Sequence, residues 1–162
     1  MKIDGKDLRP IWLDSKLNVV KIIDQRHLPH EFVIADLNTV DDVITAIKDM
    51  YVRGAPLIGV TGAYGVYLAV LNAPQHPVEE AYLIAECERI KAARPTAVNL
   101  SWAVDTAVTA VVKARPSDNR IKAARERAAL ITEQEVENCK NIGQHGLPLI
   151  YPIGAAILEK GA

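Results

Sequence analysis

The chain has 162 residues, of which 49% are apolar, and a net charge of −1 from 19 Lys and Arg against 20 Asp and Glu. These values predict one compact unit with a real core, and they exclude a disordered chain, a collagen-like chain and a disulfide-dense secreted scaffold. The near-zero charge indicates neither nucleic acid nor an anionic membrane as a partner. Any anion that the protein binds must therefore be met by local groups.

The N-terminal residues and the two cysteines indicate the compartment. Charged residues recur between Lys2 and Arg9, where a secretory signal would need an unbroken apolar core. Cys87 and Cys139 lie in amphipathic helical patterns, so we expect two buried, reduced thiols. The stretch 54–78 carries no charged residue, but prolines and polar residues interrupt it, and it predicts a buried core helix rather than a membrane span. We therefore expect a cytoplasmic protein.

The first quarter of the chain has the pattern of a small sheet. Three short runs rich in Val, Ile, Trp and Phe occur at Pro10–Leu13, Asn18–Ile23 and Glu31–Leu37. Polar or proline-containing links separate them. Residues 1–38 are therefore predicted to form a small antiparallel β meander.

From Thr39 onward the apolar residues follow a helical period. Thr39 with Asp42 is an N-cap signature, and the apolar positions Val40, Val43, Ile44, Ile47 and Tyr51 form one helical face. The other predicted helices are one opened by Pro56, one from Pro77 to about Ala93, one from about Ala97 to Lys113, and one from Pro116-Ser117-Asp118 to near Gly146.

The predicted fold class is thus α+β and mainly α, with the meander followed by a helical bundle at 39–146. The last helix has an apolar side formed by Ile121, Ala124, Ala128, Ile131, Cys139 and Ile142. The apolar tail, 147–162, has two interpretations: a short last helix from Pro152, or the start of a further region.

The segment Arg53-Gly54-Ala55-Pro56 is the best local candidate for a binding site. A helix start presents unpaired N–H groups and a partial positive charge, Gly54 lets the backbone approach a ligand, and Arg53 adds a contact suited to phosphate. The alternative is an ordinary helical corner with a solvated arginine. The glycines that follow at three-residue spacing lack the dinucleotide-binding pattern, and they predict close helix packing: Gly59, Gly62 and Gly65.

A second chain break, Arg94-Pro95-Thr96, has similar composition. Arg94 lies just before a predicted helix start, and Thr96 is the expected N-cap residue. If the bundle brings the two corners together, Arg53 and Arg94 clamp one phosphate. A sequence alone does not reveal that convergence.

The histidines give weaker signals. His27 and His30 are separated by Leu28-Pro29, which makes a loop rather than a metal-binding helical face, so we expect no metal site. His145 stands next to Gly146 at a predicted helix end, where capping is the expected role. No Ser-His-Asp or Cys-His arrangement indicates nucleophilic catalysis.

Several blocks of the chain resemble the N-terminal half of the methylthioribose-1-phosphate isomerase family. The family shares its fold with ribose-1,5-bisphosphate isomerase and the regulatory subunits of translation initiation factor 2B. Leu57, where the family usually has alanine, and Ser101 are mild departures. In order, the similar blocks are Ile23-Asp24-Gln25 with Leu28-Pro29, then Arg53 to Val60, Ala63 to Val66, Arg94 to Leu100, and Ile142 to Gly146.

The resemblance implies an aldose–ketose isomerase of methionine salvage that needs no cofactor and converts 5-methylthioribose 1-phosphate to the corresponding ribulose phosphate. It assigns substrate-phosphate binding to Arg53, Gly54, Ala55 and Arg94. The family's catalytic cysteine and aspartate belong to a C-terminal Rossmann-like domain, and no Cys-Asn-Ala-Gly motif occurs in this sequence. The resemblance therefore implies that this chain holds no catalytic residue and that the Rossmann-like domain is absent.

Three functions remain open at this point. The first is an isomerase half, produced as an excised domain or from a split gene, whose partner is a separate C-terminal half. The second is a regulatory or binding module similar to the initiation factor 2B subunits, or a half similar to ribose-1,5-bisphosphate isomerase. The third is a purely structural helical partner. A bundle shaped to pack on another domain is also expected to expose apolar surface and to self-associate.

Overall fold

The structure of the protein is a computed structural model that describes residues 2–3, 6–115 and 119–159. The chain divides into two compact units, Met1–Ile131 and Thr132–Ala162. The predicted fold class is confirmed, since a three-stranded antiparallel sheet precedes a set of helices. The strands are β1 Lys2–Ile3, β2 Lys6–Asp7, β3 Ile11–Asp14, β4 Val19–Ile23 and β5 Ile34–Leu37. The helices are α1 Val40–Lys48, α2 Ala55–Leu71, α3 Glu80–Ala92, α4 Val98–Lys113 and α5 Arg120–Glu159.

The predicted meander is confirmed as the antiparallel sheet β3-β4-β5. Its alternating side chains place Val20 and Ile22 in the core, while Lys21 on the other face pairs with Asp36 at 2.7 Å. A short additional pairing, β1 with β2, precedes the sheet. This pairing was not predicted, because two-residue strands carry no periodicity.

Helix α1 begins as its sequence predicts. The Asp42 N–H donates to the Thr39 hydroxyl at 3.2 Å, and the Thr39 N–H donates to the Asp42 carboxylate at 2.9 Å. This reciprocal pair is a capping box, which satisfies two N–H groups at the helix start. Val43 and Ile47 then lie in the core.

Helix α2 is the centre of the first unit. Every residue from Leu57 to Val70 is buried, as expected of a helix that is apolar on all sides, and α1, α3 and α4 pack around it. The predicted buried core helix is therefore confirmed. Within the described part of the chain, none of the helices combines the length and the apolar character that crossing a membrane requires.

Two predicted helix boundaries lie three or more residues from those in the structure. Helix α3 begins at Glu80 rather than Pro77, because Val78 is an anchor in the core whose carbonyl accepts from Arg120. Helix α5 continues to Glu159 instead of ending near Gly146. Gly143 and Gly146 are therefore both inside the helix. The predicted start at Pro116-Ser117-Asp118 lies outside the described residues.

The apolar side predicted for α5 is only partly buried. Ala124, Ala128 and Ile131 lie in the core of the first unit. In the second unit Ile142 is 72% exposed and Cys139 is also exposed, which contradicts the prediction of two buried thiols. Among the described residues, the last member of the apolar core is Ile131.

Candidate functional site

The start of α2 presents backbone N–H groups that no side chain caps among the described residues. Gly54 is the N-cap residue with φ +87°, a conformation that favours glycine, and no side chain caps the helix. Ala55 and Pro56 are the first two helical residues, so Pro56 stands one position later than predicted. The N–H groups of the first turn have no acceptor within the helix. A methyl group placed on Gly54 would meet no atom within 4 Å, so the space before this turn is open.

The start of α4 has the same character. The Ala97 N–H donates to the Arg94 carbonyl at 3.0 Å, which closes a turn, and the helix begins at Val98. The N-cap residue is therefore Ala97, and the prediction of Thr96 as the cap is wrong because this turn places the helix start one residue later. Ala97 has no side-chain cap to offer.

Close packing brings these two helix starts together. A methyl group on Gly59 would lie 2.9 Å from the Asn99 carbonyl oxygen, and one on Gly62 would lie 2.4 Å from Leu100 Cδ1 and 3.1 Å from Val104. Positions along α2 therefore meet successive positions along α4, so the two helices run in the same direction. Gly59 is about one turn after the start of α2, and Asn99 is in the first turn of α4.

The predicted role of the glycines in helix packing is confirmed by these contacts. Gly65 adds a third close approach, because a methyl group there would lie 2.9 Å from Ile90 Cδ1. The bare faces of the three glycines bring α3 and α4 against α2. Replacing any of them with alanine requires a neighbouring atom to move.

The charges around the two helix starts differ from those at α1. Helix α1 has Asp41 and Asp42 in its first turn, whereas α2 and α4 have no acidic residue there. Two adjacent parallel helices add their partial positive charges at this end. The backbone thus offers N–H groups and a local positive potential suited to an anion.

Arg53 and Arg94 stand at this end with their charges uncompensated. Both are exposed, and among the described residues no carboxylate lies within ion-pair distance of either. In contrast, Arg26 pairs with Asp24, and Arg89 pairs with Asp41 and Glu86. Arg53 directly precedes Gly54, the N-cap residue of α2. Arg94 begins the turn that leads into α4.

A cluster around Asp24 is a feature that the sequence analysis missed. The Asp24 carboxylate is 3% exposed and accepts from Arg26 Nε at 3.0 Å and from Arg26 Nη2 at 2.7 Å. These hydrogen bonds from Arg26 hold the pKa of Asp24 below its usual value. The Arg26 guanidinium lies over the Tyr51 ring, 3.4 Å from its centre. The signal that could have revealed this cluster is an aspartate followed two residues later by an arginine, directly after a predicted strand.

The described surroundings of the histidines are not those of a metal site. His27 Nε2 is 3.6 Å from Asp24, and its Nδ1 is 3.5 Å from Glu31. Within the described ranges, no group of three His, Cys, Asp or Glu side chains is placed to hold a metal ion. His145 lies inside α5 rather than at its end, so the predicted capping role is wrong.

Cys87 lacks the properties of a nucleophile. Cys87 is buried on α3, and burial raises the pKa of its thiol to about 12. A thiol with that pKa is protonated at neutral pH, and the thiol is a poor nucleophile compared with the thiolate. Cys139 belongs to the second unit.

An open groove of about 430 Å³ lies elsewhere on the first unit, along α4. Trp102, Asp105, Lys113 and Arg127 line it together with smaller residues. The groove contains neither Arg53 nor Arg94. We place the candidate site at the two helix starts, since the unpaired N–H groups and free arginines are found there.

Curated relatives cover almost all of this chain. It is 56% identical over 93% of its length to a methylthioribose-1-phosphate isomerase from Desulfosudis oleivorans, and 53% identical over 94% to one from Desulfatibacillum aliphaticivorans. The matched region is 41% and 42% of those proteins, respectively. The chain therefore spans about two fifths of the length of these relatives.

Two solved structures share the fold. A translation initiation factor eIF-2B subunit delta from A. fulgidus matches 81% of this chain and 38% of its own, with 32% identity and a TM-score of 0.75. A 5-methylthioribose 1-phosphate isomerase from Pyrococcus horikoshii OT3 matches 80% of this chain and 37% of its own, with 32% identity and a TM-score of 0.71. A model of the Initiation factor 2 subunit family matches residues 51–160, which is more than half of the sequence. The chain thus belongs to the initiation factor 2 subunit family, with relatives named as methylthioribose-1-phosphate isomerases.

Proposed function

We propose that this chain is the phosphate-binding part of an aldose–ketose isomerase of methionine salvage. Its substrate is 5-methylthioribose 1-phosphate, and its product is the corresponding ribulose phosphate. The observation that carries the proposal is the pairing of two uncapped, acid-free helix starts, each with an exposed arginine that has no carboxylate partner among the described residues. The names of the relatives support the choice of substrate.

Arg53, Gly54, Ala55 and Arg94 hold the phosphate in this proposal. The N–H groups at Gly54 and Ala55 donate to phosphate oxygens, and the space beside Gly54 is open to a ligand. The guanidinium groups of Arg53 and Arg94 add charge-assisted hydrogen bonds. Holding the phosphate supplies binding energy and orientation of the sugar.

Isomerisation also requires groups that move protons. The ring must open, and a proton must pass between C1 and C2 of the sugar, which calls for a positioned acid and base. The two helix starts offer arginines and backbone N–H groups, and these hold a proton too tightly to act as a base near neutral pH. We therefore propose that this chain turns over no substrate by itself.

A titration with single substitutions tests the phosphate site. We expect Arg53→Ala and Arg94→Ala each to weaken the affinity for 5-methylthioribose 1-phosphate by roughly ten- to a hundredfold, the range for a hydrogen bond to a charged group. Arg125→Ala removes an exposed arginine on α5 and serves as the matched control. Calorimetry of the full chain measures the constants. Weak binding that ignores both substitutions contradicts the site.

Turnover assays test the second part of the proposal. The purified chain is expected to produce no ketose, whereas a mixture with a separately expressed C-terminal part of a related isomerase is expected to produce it. Turnover by the chain alone contradicts the proposed division of roles. Parallel titrations with ribose 1,5-bisphosphate distinguish the two sugar phosphates.

A regulatory module is the second candidate function, and the structural match to the eIF-2B subunit delta favours it. Such a module binds a phosphorylated ligand without chemistry. The reconstitution assay separates the two functions, because a pure binding module gives no turnover with any C-terminal part. Ligand binding without reconstitution therefore supports the regulatory function.

We also propose that the chain self-associates through the apolar part of α5. Leu147, Leu149, Ile150 and Tyr151 are each more than 60% exposed in the second unit. Apolar residues exposed in this number favour contacts between protein chains. Sedimentation of the purified chain measures the oligomeric state, and a clean monomer contradicts the proposal.

A further inference from the structure

The turn after β4 is built around a buried carboxylate. Asp24 follows the last residue of that strand and accepts hydrogen bonds from the backbone N–H of Arg26 at 3.1 Å and from the Arg26 guanidinium. A carboxylate that is 3% exposed needs such partners, since an unpaired buried charge is costly. The side chain of Arg26 is thereby held in one direction. His27 approaches the same carboxylate at 3.6 Å.

This turn contacts Tyr51 in two ways. The Arg26 guanidinium stacks on the Tyr51 ring, and the backbone N–H of Gln25 donates to the Tyr51 carbonyl at 2.9 Å. A guanidinium over an aromatic face gains both cation–π attraction and contact area. The turn therefore fixes both the ring and the backbone of Tyr51.

The chain from Tyr51 to Gly54 is fastened at both ends. The N–H groups of Tyr51 and Val52 donate to the Ala46 carbonyl, and Val52 is fully buried. After Gly54, the Ile58 N–H donates back to the Gly54 carbonyl at 3.0 Å as α2 begins. Arg53 lies between these two anchors, only two residues from the stacked ring.

We infer that Arg26 is a positioning residue that holds the Arg53–Gly54 segment in its binding conformation. Its role in phosphate binding rests on the proposed function, whereas the ordering of residues 51–55 does not. The mechanism is preorganisation: a segment that is already ordered loses less conformational entropy when it binds a ligand. Asp24 fixes the guanidinium, and Tyr51 transmits the constraint to the backbone.

Amide hydrogen exchange of the full chain without ligand tests the ordering. We expect Arg26→Ala to speed exchange in the peptide covering residues 51–58 by roughly two- to fivefold, the range that corresponds to one exposed cation–π contact. Tyr51→Leu is expected to do the same while leaving the Asp24–Arg26 pair in place. Arg26→Lys keeps the charge but loses the planar stack. We therefore expect its exchange rate in this peptide to lie between those of the wild type and Arg26→Ala.

Arg89→Ala is the matched control. Arg89 is likewise an exposed arginine held by carboxylates, but its partners are Asp41 on α1 and Glu86 on α3. A general loss of stability speeds amide exchange of the 51–58 peptide in both Arg26→Ala and Arg89→Ala. Loss of the positioning contact speeds it in Arg26→Ala only. Unchanged exchange of this peptide in both Arg26→Ala and Tyr51→Leu overturns the inference.

Titration with inorganic phosphate separates this inference from the proposed function. We expect Arg26→Ala to weaken phosphate binding roughly two- to fivefold, less than Arg53→Ala does. Loss of binding in Arg53→Ala with no change in Arg26→Ala supports the phosphate site and overturns the positioning role. Faster exchange in Arg26→Ala combined with no phosphate binding by the wild type overturns the proposed site, while the ordering of the segment by Arg26 stands.

Discussion

At the scale of single residues, the Asp24–Arg26 pair and the free arginines show how partners decide what a charge does. Arg26 and Arg53 are residues of the same type, both at chain turns and both exposed. Arg26 is committed to a buried carboxylate, while Arg53 has no carboxylate partner among the described residues and remains available to a ligand. A composition near neutrality therefore coexists with a local cationic site.

Replacing Asp24 tests the energetic role of its pair with Arg26. We expect Asp24→Asn to lower the free energy of unfolding at pH 7 by on the order of 1–3 kcal/mol, because charge-assisted hydrogen bonds from Arg26 to a buried acceptor are lost. Asp36→Asn breaks an exposed pair with Lys21, and it is expected to cost about 0–1 kcal/mol. Urea unfolding measures both variants.

The lowered pKa of Asp24 gives this prediction a pH dependence. The folded state holds the carboxylate ionised at a lower pH than the unfolded chain does, so its stabilisation is present above the ordinary value of 3.8. The stabilisation is lost as the pH falls through the lower folded-state value. The difference in the free energy of unfolding between wild type and Asp24→Asn must therefore become smaller below pH 3.8. An equal difference at pH 7 and pH 3 contradicts this assignment.

At the scale of secondary-structure elements, the contact of α2 with α4 assembles the candidate site. Gly59 allows the first turn of α4 to approach, because a side chain there would meet a backbone carbonyl that cannot rotate away. The helix starts are thus brought together by a residue that has no side chain and no charge. In the proposed function, packing at Gly59 is therefore coupled to phosphate binding.

Substituting Gly59 tests that coupling. We expect Gly59→Ala to destabilise the chain by about 1–3 kcal/mol through overpacking, and to weaken phosphate binding because α2 and α4 move apart at their starts. Gly143→Ala is the control, since a methyl group there meets nothing within 4 Å and alanine favours a helix by roughly 0.5–1 kcal/mol. Equal effects of the two substitutions on thermal unfolding would contradict the packing argument.

Local signals predicted the elements better than their ends and contacts. The capping residues Thr39 and Asp42 act within four positions of each other, so the start of α1 was predictable. The approach of Gly59 to Asn99 joins residues forty positions apart, and no short-range pattern encodes it. The end of α5 was missed because Gly143 and Gly146 favour termination, yet neither position terminates the helix in the structure.

At the scale of the whole molecule, the two compact units differ in what they bury. The first, Met1–Ile131, contains the core and the candidate site, whereas the described apolar residues of the second beyond Cys139 are exposed. Each unit carries one cysteine, buried Cys87 in the first and exposed Cys139 in the second. The two thiols are therefore natural reporters of the two units.

Thiol labelling distinguishes the units in solution. At pH 8 without denaturant we expect one thiol per chain to react rapidly, and the Cys139→Ser variant to show none. Cys87 stays unreactive because it is buried and its pKa is raised to about 12, so almost no thiolate is present. With increasing urea, Cys87 must become reactive as the first unit unfolds, in parallel with the loss of its helical circular dichroism. Two rapidly reacting thiols in the native chain would contradict the burial of Cys87, and with it the core that supports α3 against α2.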